Sequence, residues 1–203
     1  MNPLNSVSGS IWTGFILAVI VLLIAMAVHM NTGSFFEPTL ARWLHILSGI
    51  TWIGLLYYFN LVQTPGMAVA AADKGGPGGA GVSKYIAPRA LWWFRWGAVA
   101  TWLTGAWYLT RGSNFVNALT LGHGAQDRYG FTIGIGAWLG TIMLFNVWAL
   151  IWPNQKRILG IVAATDEEKA KARKTAGLAS RVNFVLSIPM LLCMASAFHQ
   201  FPL

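Results

Sequence analysis

The sequence predicts an all-α integral membrane protein, a bundle of about five transmembrane helices in a single membrane domain, 1–203. Three observations predict it. Apolar runs of about 20 residues recur along the chain, each long enough to cross a hydrocarbon core of about 30 Å. Charged residues make up only 10% of the composition, against roughly 25% in a soluble domain. There are eleven tryptophans, a residue that favours the membrane–water interface.

The first apolar run covers residues 11–30. Ala25-Met26-Ala27 resembles a signal cleavage site, but no Lys or Arg precedes the run and it is long for a signal, so a retained helix is expected. The second run covers 40–62, the third 90–109, the fourth 129–152 and the fifth 182–201. No strand alternation is visible, and isolated strands would leave backbone groups unpaired in lipid, so each run is read as a helix.

The loops 63–89 and 153–181 hold most of the cations. The first carries Lys74, Lys84 and Arg89; the second carries Lys156, Arg157, Lys169, Lys171, Arg173, Lys174 and Arg181. The opposite side has Arg42, Arg111 and Arg128. The positive-inside rule then makes both loops cytoplasmic, the N-terminus cytoplasmic and the C-terminus periplasmic. The net charge of +8 is explained the same way, and no nucleic-acid partner is implied.

Within those loops, Lys74–Gly81 (KGGPGGAG) lacks the Gly-Lys-Ser/Thr ending of a phosphate loop and reads as a linker. Thr165–Lys174 reads as a short charged surface helix. The single cysteine, Cys193, excludes an intrachain disulfide, a multi-Cys zinc site and a CxxCH haem attachment; it reads as a small apolar residue in a helix.

The acids Glu37, Asp73, Asp127, Asp166, Glu167 and Glu168 all fall outside the spans, which argues against a proton-driven transporter. Asn60, Asn146 and Asn183 lie in or near spans, where an amide either bonds across helices or touches a ligand. Gly136 and Gly140 are expected to let helices pack closely.

The four histidines, His29, His45, His123 and His199, all fall toward the periplasmic face of this topology. His29 is flanked by Met26 and Met30, a weak copper pattern, and His123 lies in a loop. His45 has Arg42 one turn before it and Gly49 one turn after it; His199 has Ala195 and Ser196 one turn before it. Small neighbours leave room for a flat macrocycle, Arg42 could pair with a propionate, and two neutral imidazoles from different helices could ligate one haem b iron. Equally, histidines near helix ends could be interfacial and the small residues mere packing.

Four segments resemble the membrane domain of the bacterial membrane-bound urate oxidases (urate hydroxylases). They are RWLHILSGITWIGLLYYFN at 42–60, WWFRWGAVATWLTGAW at 92–107, GTIMLFNVWALIWPNQKRI at 140–158 and the stretch from Asn183 to the AFHQFP motif at 197–202. The resemblance implies a membrane redox protein that passes electrons to a c-type cytochrome. That cytochrome is often a fused C-terminal domain in the family; without a CxxCH here, a separate one is expected. The chain also departs from the pattern. It lacks a pair of middle helices, a family histidine stands as Gly134, and a family glutamate stands as Gly97.

The expected function is therefore membrane-integral electron transfer through haem b, with His45 and His199 as axial ligands and Arg42 and Gly49 beside the cofactor. The alternative is a non-catalytic transmembrane subunit of a larger respiratory or photosynthetic complex.

Overall fold

The computed structural model describes residues 2–28, 36–112 and 114–197. All regular structure among the described residues is helical. The chain divides into two compact units, 1–39 and 40–203.

In the first unit α1 (Val7–Val28) is apolar around its whole circumference. Its large side chains, such as Ile16, Val19, Ile20, Val21, Leu23 and Ile24, are exposed. A helix apolar on every side requires an apolar surround, which a bilayer supplies. His29 and Met30 lie outside the described residues.

The second unit is built from long rods, several of them interrupted by π-helical turns. The first rod joins α2 (Phe36–Tyr57), a π segment (Tyr58–Gln63) and α3 (Thr64–Ala72). The next joins a π segment (Val82–Ile86) to α4 (Ala87–Arg111). Two short helices follow, α5 (Phe115–Leu119) and α6 (Leu121–Ala125). Then come α7 (Arg128–Phe145), a π segment (Asn146–Ile151) and α8 (Trp152–Ile158), and finally α9 (Asp166–Ser196).

Each π segment ends within two residues of a proline: Pro65, Pro88 and Pro153. Proline has no N–H to give and its ring crowds the carbonyl four residues back. Widening the preceding turn to π spacing relieves that crowding and lets the rod continue. The rods therefore run past the expected ends. The stretches 63–89 and 153–181, read from sequence as loops, are helical except at 73–79 and 159–165. Thr165–Lys174 is not a short surface helix but the start of the 31-residue α9. Thr165 caps it through a reciprocal pair, with Glu168 N–H donating to Thr165 Oγ1 at 3.2 Å and Thr165 N–H to Glu168 Oε2 at 2.7 Å.

Four segments are long and apolar enough to cross a membrane: Val7–Ala25, Glu37–Ala72, Arg128–Ile158 and Asp166–Ser196. The run expected as the third span forms the 25-residue α4, which is not among these four segments: five tryptophans and Arg95 fall within it and make it less apolar. The 36 residues of Glu37–Ala72 extend roughly 54 Å, well beyond the hydrocarbon thickness.

The core lies where the rods meet. Trp52, Ile53 and Leu56 from α2 pack with Phe94 and Ala98 from α4, Met143 from α7, Val147 and Ile151 from the π segment, and Ala179 and Met190 from α9. Gly136 sits against Cys193, where an added Cβ would lie 3.2 Å from the Cys193 Cβ, so it does allow close packing of α7 on α9. Gly140 does not act this way, since its Cβ position faces open space. Cys193 is buried and reduced, as an apolar helix residue would be.

Candidate functional site

His45 is half-buried, on the face of α2 turned toward α4. Its Nδ1 lies 2.8 Å from the carbonyl oxygen of Thr101. A carbonyl only accepts, so Nδ1 carries the proton and Nε2 carries the lone pair. The ring rests on Gly105, one turn further along α4. A Cβ there would come within 2.8 Å of His45 Cε1 and 2.9 Å of Nδ1. Thr101 and Gly105 together form a seat for the imidazole: one orients it and the other makes room for it.

The contact continues down the same two helices. The Gly49 Cβ position lies 3.8 Å from the Thr101 methyl, and the Gly97 Cβ position 3.4 Å from the Trp52 backbone nitrogen. As numbers rise along α2 they fall along α4, so the two helices are antiparallel neighbours. Gly49 thus meets a methyl of α4, and the space beside it serves helix contact. Trp52 is 2% exposed and its indole N–H has no acceptor among the described residues.

Arg42 is exposed and lies one turn before His45. His199 lies outside the described residues. The turn that leads to it packs at the His45 end of the bundle: Met194 and Ala197 join the cluster of Leu109, Ala118 and Ile133, and Leu109 is one turn past Gly105 on α4. His123 is exposed, with a left-handed φ of 50°.

The two glycines that replace expected family residues have steric reasons here. A Cβ on Gly134 would collide with the Ala118 carbonyl, so no histidine fits without moving α5. Gly97 lies against the backbone of Trp52, where a glutamate side chain would press into α2.

The buried amides bond across helices. Asn146 Nδ2 donates to Asn183 Oδ1 at 2.9 Å, and Asn183 Nδ2 to the Met143 carbonyl at 2.9 Å. Asn60 Nδ2 donates to Ser180 Oγ at 2.9 Å, and Ser187 Oγ to Tyr57 OH at 3.2 Å. These bonds tie α9 to α2 and α7 and to the π segments that continue them. No group of three or more metal-ligating side chains occurs among the described residues.

The donor chemistry fits one axial position of a haem. A histidine whose Nδ1–H is held by a backbone carbonyl presents Nε2 for coordination. Sequence reading found His45 but missed Thr101 and Gly105. The signal was available in their i, i+4 spacing within TWLTG at 101–105, which places a carbonyl and a gap on one face.

Residues 112–202 match the family model described as urate oxidase N-terminal, which is consistent with a urate oxidase-related family. The match covers α5 through α9, the GTIMLFNVWALIWPNQKRI segment and His199, and leaves His45 outside. No curated protein and no solved structure matches the chain.

Proposed function

We propose that this chain is a membrane-integral haem b electron-transfer protein of the bacterial inner membrane, serving a separate c-type cytochrome. The observation that supports this best is the fixed tautomer of His45, with Nδ1–H on Thr101 O and Nε2 left as the ligand atom. His199 is the proposed second ligand and Arg42 the partner of a propionate. Bound haem would supply a one-electron iron couple. The protein's own part is to hold His45 in one orientation between α2 and α4, with Thr101 O fixing the ring and Gly105 making room for it. The family match over 112–202 favours a redox setting related to urate oxidases.

A second reading has its own observation. Trp92, Trp93, Trp96 and Trp102 of α4 are all exposed. A tryptophan-lined flank suits docking into a larger respiratory or photosynthetic complex as a non-catalytic subunit.

A reduced-minus-oxidised spectrum of the purified protein separates the two. A b-type band that is lost or turned high-spin in both His45→Ala and His199→Ala, with normal expression, supports the haem reading. A well-folded wild-type protein with no such band supports the subunit reading.

A further inference from the structure

Arg95 lies in the third turn of α4 and is only 8% exposed. Among the described residues it has no carboxylate partner and no hydrogen-bond acceptor. Its guanidinium carbon sits 3.5 Å from the centroid of the Trp152 ring. Stacking covers one face of the cation and leaves its in-plane N–H donors unmatched. A cation largely covered by apolar and aromatic neighbours is costly until a counter-charge reaches it.

Other donors gather at the same corner. Lys156 Nζ lies 5.9 Å from the centroid of the same Trp152 ring. Trp148, about one turn before Trp152, has a buried indole N–H with no acceptor among the described residues. Its ring meets that of Trp96, the neighbour of Arg95, at 5.5 Å. The six acids of the chain all lie on other segments, at 37, 73, 127 and 166–168. The corner is rich in donors, and among the described residues no acid forms an ion pair with Arg95 or Lys156.

We propose that the corner between α4 and α8 binds the phosphate of an anionic phospholipid headgroup. A planar guanidinium, an ammonium and an indole N–H are a donor set suited to a phosphate oxyanion. The lipid is favoured over free phosphate by what flanks the site. Trp92, Trp93 and Trp96 are each about half exposed along α4 and offer an apolar aromatic shelf for acyl chains. This inference is independent of the haem reading.

The test uses the full chain, purified in neutral detergent, with its thermal midpoint followed against added phosphatidylglycerol, phosphatidylcholine or inorganic phosphate. Phosphatidylglycerol should raise the midpoint saturably and phosphatidylcholine should not. Arg95→Gln and Lys156→Gln should each weaken the phosphatidylglycerol response about fivefold or more. Lys171→Gln with Arg173→Gln, exposed on α9, should leave it unchanged. If Arg95→Gln fails to fold, the half-buried Lys156→Gln carries the comparison. Equal responses to the two lipids, a lipid response that survives Lys156→Gln, or an equal loss in the α9 control would overturn the site. A saturable shift with inorganic phosphate that matches the lipid's would overturn the lipid as occupant.

Discussion

The His45 ring lies on Gly105, so close that a single methyl added there would occupy the same space. Gly105→Ala should therefore push the imidazole off the Thr101 carbonyl. We expect a loss of about 1–3 kcal/mol in stability, the usual range for an overpacked contact. Under the haem reading the same change should reduce bound haem. Gly54→Ala, whose Cβ position faces open space, is the control and should do neither. Thermal unfolding and the haem spectrum of the two variants decide it. Equal behaviour would show that Gly105 is not the seat of the ring.

The Asn146–Asn183 pair makes a separate prediction. Asn183 is fully buried and uses both ends of its amide, toward Asn146 and the Met143 carbonyl. Asn183→Ala strands a donor and an acceptor, at an expected cost of about 1–3 kcal/mol. Asn146→Ala should cost less, because it strands only Asn183 Oδ1. Within a membrane such bonds couple by about 0.5–2 kcal/mol. A double-mutant cycle should show the double variant less destabilised than the two singles added together. Strict additivity would refute a direct bond.

Acid should weaken the turn before α7. Asp127 caps that helix, accepting from Tyr129 N–H at 3.0 Å and Gly130 N–H at 3.1 Å, and it also accepts a short bond from Asn117 Nδ2. The Asn117 bond is the main reason its carboxyl is held below the ordinary value of 3.8, with the two backbone bonds and the charge of His123 adding to it. A carboxyl depressed in the folded state contributes stability above its unfolded value and loses it as pH falls through the folded one. Asp127→Asn keeps a capping residue but removes the titration. The thermal midpoint of the wild type should fall faster than that of Asp127→Asn as pH is lowered from about 4. Parallel acid limbs would count against this role.

The helices were legible in the sequence because each apolar run is continuous and backbone bonding in lipid leaves few other choices. Their true ends were not. The apolar signal stops near residues 62 and 152, where a π turn ends, while the backbone carries on through a proline, which sequence reading takes as a break. His45 was legible as a ligand candidate from its own helix. Its seat was not, because Thr101 and Gly105 belong to a different helix and only the antiparallel register of α2 and α4 brings them beneath it. Arg95 stood inside the WWFRWGAV motif, but its stack on Trp152 spans 57 positions and depends on how α4 crosses α8.

The number of crossings turns on α4, which is long enough to span but less apolar than the other four segments. Its antiparallel course along α2 argues that it crosses. His45, Gly49 and Trp52 meet the region of Gly105, Thr101 and Gly97 in reverse order, so the helices share about two turns of depth. Reporters in the two short connections can decide this. Gly78 lies in the first and Gly160 in the second; both are exposed, with left-handed φ values of 68° and 73° and open space around them. If α4 crosses, two further crossings separate Gly78 from Gly160, and reporters at both should read the same side. If α4 lies outside the bilayer, only one crossing separates them and they should read opposite sides. From the cation bias the expected shared side is cytoplasmic, so both insertions are expected to be active as cytoplasmic reporters and a fusion after Leu203 as a periplasmic one. Opposite signals at Gly78 and Gly160 would remove α4 from the membrane. Matching periplasmic signals would keep α4 in the membrane and reverse the orientation.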